Sequence, residues 1–216
     1  MSIPKEPRQL MINLMYIVLT AMLALNVSAE VLNAFLSMNR SLNESTDIMD
    51  KSNQQLMAAI TEQAEAYAQF KPYADGGLEV QKIAREFSQY VSEIKDDLIE
   101  ASGGTDENGS PIGIKDKDVT TRMLVTEGRG KELEEEIKKV RKDLLAQITD
   151  ESVREQLAAT LPVKIEEIPE NSDKKNWAEF KFQQMPVAAV LPLLAKIQND
   201  VEISETSILG LSLIHI

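Results

Sequence analysis

The sequence predicts an all-α protein in which one N-terminal transmembrane helix is followed by a helical bundle with long antiparallel helices. Residues 9–29 contain no Asp, Glu, Lys or Arg. Beyond them, apolar residues recur at three- and four-residue spacing in several segments that Pro and Gly residues separate. We therefore divide the chain into a tail (1–8), a membrane helix (9–29), a bundle (30–209) and a truncated or unnatural tail (210–216).

The uncharged segment 9–29 is long enough to cross a bilayer. At the α-helical rise it spans roughly 31 Å, close to the ~30 Å of a hydrocarbon core. Lys5 and Arg8 precede it, whereas Glu30 is the first charge after it. By the positive-inside rule, the N-terminus stays in the cytoplasm and the rest of the chain is exported. A cleaved signal peptide ending at Ala29 is the alternative, but the length of the run and the helical pattern beyond it favour an anchor.

One face of this segment carries polar and small side chains. Helical spacing places on it Gln9, Asn13, Tyr16, Thr20, Ala24 and Ser28. Small residues let membrane helices approach each other, and amide or hydroxyl groups hydrogen-bond between them. We therefore expect this face to pack against other membrane helices. The alternative is that these residues are merely tolerated near a membrane surface, with Tyr16 in an aromatic belt.

Arg8 lies where the membrane segment begins, and two roles are open for it. As a positive charge on the cytoplasmic side, it sets the orientation of the segment. Because it adjoins a polar helix face, it could also pair with a carboxylate on a neighbouring membrane helix.

Residues 30–70 are predicted to form one long helix with a seven-residue repeat. Its apolar seam consists of Phe35, Leu42, Met49 and Leu56. A second set at the same spacing includes Asn39, Thr46 and Asn53. A heptad seam that contains polar residues is weakly stabilising, but it sets the register with a partner helix. Pro72 and the pair Gly76–Gly77 predict that the helix ends within residues 71–77.

Further helices are predicted at 78–101 and 131–148, each with an apolar stripe. The first stripe is Val80, Ala84, Phe87, Val91, Ile94 and Leu98, and the second is Leu133, Ile137, Val140, Leu144 and Ile148. Asp118 and Asp150 are predicted to cap shorter helices. A last helix begins at Pro186 and is kinked by Pro192. Alternation at 163–165 and 180–182 predicts a small hairpin, with Trp177 packed on the bundle.

The composition argues against several classes of function. The chain has no Cys, and His215 is its single His, so thiol chemistry and most zinc or Ser–His sites are excluded. The whole chain has a net charge of −12, and residues 30–216 carry −13 because residues 1–29 carry +1. This acidic portion argues against binding of nucleic acid. We expect no enzyme activity, catalytic residue, metal, cofactor or small-molecule substrate. Two classes stay open: a subunit of a membrane machine, and an exported scaffold or sensor that binds a ligand or a protein.

Two segments resemble a known family. Residues 7–16 (PRQLMINLMY) and 21–35 (AMLALNVSAEVLNAF) are similar to the N-terminus of GldM/PorM, the gliding-motility and type IX secretion motor protein of Bacteroidota. Residues 177–201 resemble the end of that family's first periplasmic domain. The similarity covers nearly the whole chain, whereas family members continue into further β-rich periplasmic domains.

The resemblance implies an inner-membrane homodimer, with its N-terminus in the cytoplasm and its bulk in the periplasm. Its membrane helices would lie inside a ring of helices from the polytopic partner GldL/PorL, and the complex would convert proton-motive force into movement of the periplasmic part. Arg8 falls where the family has a basic residue proposed to pair with a membrane carboxylate of the partner. The polar face of the membrane helix would then contact other helices, and the heptad seam would belong to a stalk that transmits motion.

Overall fold

The computed structural model describes residues 7–25 and 29–215, and in these ranges it contains helices and no strand. The helices are α1 (Pro7–Leu25), α2 (Ala29–Ala66), α3 (Lys71–Ala101), α4 (Asp118–Thr120), α5 (Arg129–Ala146), α6 (Glu151–Thr160), α7 (Trp177–Phe182) and α8 (Val187–His215). A 3₁₀ turn (Ala68–Phe70) joins α2 to α3, and a π-helical stretch (Thr121–Thr126) follows α4. The all-α prediction is confirmed.

The long helices α2, α3 and α8 pack together along their length. Ser45 of α2 lies beside Asn199 of α8, and Asn53 lies beside Glu202, so α2 and α8 run in the same direction. Lys95 of α3 contacts Asn43, while Gly77 lies against Met57, so α3 runs antiparallel to both. Helix α5 packs on the other side of α3, where Arg129 pairs with Asp97.

Helix α1 covers residues 7–25, which includes most of the predicted membrane segment. Its described side chains, from Pro7 to Ala21, are exposed, apart from Ile12 and Asn13, which are half-buried. Within the described residues, no helix combines the length and the apolar character that a membrane crossing requires. The predicted span of 9–29 also includes 26–28, which lie outside the described residues. The transmembrane helix is thus not confirmed, and it stays a prediction.

The turn between α2 and α3 lies earlier than predicted. Helix α3 begins at Lys71, so Pro72, Gly76 and Gly77 belong to its first two turns instead of ending the preceding helix. Proline is tolerated in a first turn because the N–H that it lacks would have no partner within the helix. Gly77 is buried where a Cβ would lie 2.8 Å from the Sδ of Met57. These residues therefore begin and pack a helix.

The main core confirms both predicted stripes. Every residue of the stripes on α3 and α5 is buried, including Ile148 just after α5. Trp177 is also buried and makes an edge-to-face contact with Phe182, with ring centroids 5.4 Å apart. Asp150 caps α6 as predicted, since its Oδ1 accepts hydrogen bonds from the backbone N–H groups of Ser152 and Val153.

Two local predictions were wrong. The N–H groups of Asp118 and Val119 donate to the side chain of Asp116, so Asp116 caps α4 and Asp118 is already inside it. The hairpin is absent from the described residues, because 180–182 belong to α7, which Asn176 caps by accepting from the N–H of Glu179 at 2.9 Å.

Helix α8 runs without interruption through Pro192, and it continues past residue 209 to His215.

Substitutions at two glycines test this packing, and they should change the free energy of unfolding in opposite directions. A Cβ on Gly130 would lie 2.4 Å from the carbonyl oxygen of Leu124 and 2.9 Å from the Cβ of Ala178. We expect Gly130→Ala to lower the free energy of unfolding by about 1–3 kcal/mol, as overpacking does. Gly76 has open space around its Cβ position, so Gly76→Ala should raise it by about 0.4–1 kcal/mol. Urea denaturation measures both, and equal effects would contradict the packing at Gly130.

Candidate functional site

A row of polar side chains lies along the interface of α8 with α2 and α3. On α8 the row consists of Gln198, Asn199, Glu202, Glu205 and Thr206. Their spacing of three and four residues places them on one helix face. All are buried except Thr206, which is half-buried. We name this set the polar row.

Gln198 connects α8 to α3 and, through Lys95, to α2. Its Nε2 donates to the backbone oxygen of Ser88 at 2.7 Å and to the hydroxyl of Ser92 at 2.9 Å. Its Oε1 accepts from Lys95 Nζ at 3.1 Å, and the same ammonium donates to Asn43 Oδ1 at 2.9 Å. Burial lowers the pKa of Lys95, while the carboxylates of Asp96 and Asp47 act in the opposite direction.

Asn53 connects α2 to α8 through both ends of its amide. Its Nδ2 donates to the backbone oxygen of Glu202 at 3.1 Å and to Glu202 Oε2 at 3.2 Å. Its Oδ1 accepts from the hydroxyl of Thr206 at 2.7 Å. One turn earlier on α8, Asn199 Nδ2 donates to Ser45 Oγ at 2.9 Å. Since each partner occupies one position on its helix, these bonds define the register of α2 against α8.

Glu202 and Glu205 place two carboxyl groups inside this interface. Glu202 is 4 % exposed and Glu205 is 2 % exposed. Burial, followed by the nearby Asp50, raises the pKa of Glu202 to about 7. Burial, followed by Glu202 and Asp50, raises the pKa of Glu205 to about 8. Asn53 and Arg85 oppose both shifts but do not cancel them.

The predicted stalk seam flanks the polar row. Phe35, Leu42, Met49 and Leu56 are all half-buried. Met49 Sδ lies 3.9 Å from the hydroxyl of Thr206, and Leu56 packs against the buried cluster formed by Met57, Ile60, Ala74 and Leu209. The fully buried positions of α2 are Leu32, Asn53, Met57 and Ile60. Part of the predicted seam therefore borders α8 of the same chain.

The predicted membrane face lies on α1, away from the polar row. Arg8, Gln9, Tyr16 and Thr20 are exposed, and Asn13 is half-buried. The hydroxyl of Thr20 donates to the backbone oxygen of Tyr16 at 2.7 Å, so it is satisfied within the helix. Ala24 belongs to α1, and Ser28 lies outside the described residues. The role of this face in helix packing stays a prediction.

The comparison with protein families identifies the domain that forms the bundle. The model of the GldM N-terminal domain matches residues 30–213. The chain belongs to the GldM family. It is therefore related to gliding motility and type IX secretion. None of the curated proteins matches it. The GldM match covers the bundle from α2 nearly to the end of α8, and it leaves α1 outside.

The sequence does not predict that Glu202 and Glu205 of this GldM domain are buried. Their acidic side chains follow an apolar run and resemble a solvated end of the last helix. The available signal was the spacing of Gln198, Glu202 and Thr206, each four residues apart and hence on one face. The sequence places Asn53 in a polar set that is expected to set register with a partner helix, and the helix that it contacts is α8 of the same chain.

Asn53 should contribute more to stability than its exposed neighbour. Asn53→Ala removes the donor to the buried carboxyl of Glu202 and leaves the hydroxyl of Thr206 bonded only to the backbone oxygen of Glu202. The free energy of unfolding should therefore fall by about 1–3 kcal/mol. Gln55→Ala, at an exposed position of α2, is the matched control and should change it by less than about 0.5 kcal/mol. Chemical denaturation at neutral pH measures both. Equal effects would show that the polar row does not hold α2 to α8.

Proposed function

We propose that this GldM-family chain is an inner-membrane motor subunit of the gliding and type IX secretion machinery. In this proposal α1 crosses the inner membrane once, with its N-terminus in the cytoplasm and the bundle in the periplasm. The membrane helix α1 couples proton-motive force to movement of the bundle. The observation that carries the proposal is that α1 exposes its apolar side chains, while the rest of the chain forms a packed, acidic bundle.

The exposed apolar surface of α1 supports a non-aqueous environment. Its exposed large residues are Leu10, Met11, Leu14, Met15, Tyr16, Ile17, Val18 and Leu19, each between 48 % and 71 % exposed. Burying apolar surface is worth about 25 cal/mol per Å², so a helix covered in such residues is stabilised by lipid or by other helices. Its polar face, with Asn13 and Thr20, suits contact with the membrane helices of a polytopic partner of the GldL/PorL type.

Arg8 is the proposed coupling residue. It is the second residue of α1 and its side chain is exposed, so a neighbouring helix can reach it. A charge near the hydrocarbon core is costly unless it is paired, which favours an ion pair with a carboxylate of the partner. Protonation of that carboxylate removes the attraction, and the helices are then free to change register.

Helix α2 is the proposed transmission element. It is 38 residues long, which corresponds to about 57 Å at 1.5 Å per residue. The polar row attaches its middle to α8, so a displacement of α2 would act on the whole bundle. In the proposed homodimer, the seam residues of α2 would also meet the second copy.

The ion pair is tested by two substitutions in the cell. We expect Arg8→Ala to abolish type IX secretion and gliding while membrane insertion and dimerisation persist, because Lys5 preserves the charge that orients the chain. Arg8→Lys keeps the positive charge and should retain part of the output. Secretion of a reporter cargo and colony spreading are the measurements.

Normal secretion by Arg8→Ala would reduce Arg8 to an orientation signal. A motor also requires a membrane partner that co-purifies in detergent. If no polytopic protein co-purifies, and a ligand instead raises the melting temperature of the bundle, the chain is an anchored scaffold or sensor.

The dimer seam is tested by single cysteines, since the chain has none of its own. If the seam meets a second copy, Leu42→Cys and Met49→Cys should form disulfide-linked dimers in membranes under mild oxidation. Ile48→Cys, at a position 67 % exposed on another face of α2, is the control. Non-reducing electrophoresis gives the yield of dimer. Efficient crosslinking at Ile48 and none at Leu42 would place the dimer contact on the other face.

A further inference from the structure

We propose that Glu202 and Glu205 form a proton-binding site, and that its occupancy controls how firmly α8 packs against α2 and α3. The ligand is a proton taken from the solution around the bundle. The site lies among described, buried residues, so this inference does not rest on the proposed motor function.

Glu205 has unmet hydrogen-bonding capacity in this interface. Its Oε1 is buried and accepts no hydrogen bond from the described residues. For an ionised carboxylate this is energetically costly, because this oxygen has lost its hydration and gains no donor in return. A protonated carboxyl group carries no net charge and can be buried at a much smaller cost. The arrangement therefore favours the protonated form.

The charges around Glu202 and Glu205 also favour protonation. Helix α2 contributes the carboxylate of Asp50 and the neutral amide of Asn53, and α3 contributes the guanidinium of Arg85. Arg85 is exposed and forms no ion pair with Glu202 or Glu205 within 4.0 Å in the described structure. With both glutamates ionised, three carboxylates would face one solvated cation. Binding one or two protons relieves this repulsion.

The site should change occupancy near neutral pH. The pKa of Glu202 is raised to about 7 and that of Glu205 to about 8, and burial is the largest cause for both. The charge of Glu202 acts on Glu205, so the two carboxyl groups titrate as a pair and the two steps belong to the site as a whole. Because the folded-state pKa values are raised, the stabilisation is fully present below the ordinary glutamate pKa. It is lost as the pH rises through about 7 and then 8.

Deprotonation would act on a defined part of the interface. Glu205 lies one turn from Leu209, which packs with Met57, Ile60 and Ala74 in the smaller apolar cluster. Ionised carboxylates attract water, so they would loosen α8 from α2 next to this cluster. The bonds of Gln198 and Asn199 lie one to two turns earlier on α8 and contain no acid. The interface would therefore open from the Glu205 side.

The test compares the pH dependence of stability in the full chain, kept in mild detergent. The variants are Glu202→Gln/Glu205→Gln and the control Glu155→Gln, which changes an exposed residue of α6. Between about pH 5 and 7, the unfolding constant of the wild type should rise with pH. The rise is up to tenfold per pH unit for each carboxyl group that is protonated in the folded state and ionised in the unfolded state. The double variant should lose this contribution, whereas the control should keep it. Identical slopes in the wild type and the double variant would overturn the proposal.

A measurement on the wild type covers the case in which the double variant does not fold. Carbon-13 resonances of the glutamate carboxyl groups should include two that titrate near pH 7 and 8. Amide exchange in α8 around Glu205 should also accelerate above pH 8 by more than the intrinsic increase. If every glutamate resonance completes its titration below pH 6, the two groups do not hold protons near neutrality and the proposal is wrong.

Discussion

The rest of the structure depends on the register of α2 against α8, which the polar row defines. An interface made only of apolar side chains tolerates a shift of one helical turn, because one aliphatic group replaces another. The amide of Asn53 does not tolerate it, since its donor and its acceptor both have partners on α8. A shift would leave buried polar groups unpaired, at a cost of about 1–3 kcal/mol for each. Polar positions in helix seams set register in the same way.

The same row carries the least favourable contacts of the interface. Glu202 is held by Asn53, whereas Glu205 Oε1 has no donor among the described residues. Apolar residues at these two positions would avoid the cost of burying two acids. In this chain, however, both acids lie on the helix face that defines register. Register and protonation are therefore properties of one interface, because Asn53 both positions α8 and donates to one of its acids.

The sequence was sufficient for elements whose pattern is repeated over many residues. The stripes of α3 and α5 span several turns, and a capping Asp150 marked α6, so local rules agreed with the fold. Single signals were less reliable. Pro72 predicts the end of a helix, but proline also begins helices, and Pro72 lies in the first turn of α3. The alternation at 180–182 was too short to outweigh the cap at Asn176. The burial of Glu205 depends on α2, more than a hundred residues away in sequence, and no local pattern encodes that distance.

The polar row also limits the kinds of movement that the bundle can pass on. Lys95, Asn199 and Asn53 tie α8 to α2 at successive levels, so sliding by one turn would break all of these contacts together. Tilting or rotating the helices as one body breaks none of them. A displacement applied to α2 would therefore reach α8 as rigid-body motion, except where the proposed ionisation of Glu202 and Glu205 loosens the interface. If α1 drives α2, as proposed, the bundle would tilt or turn as a unit and not telescope.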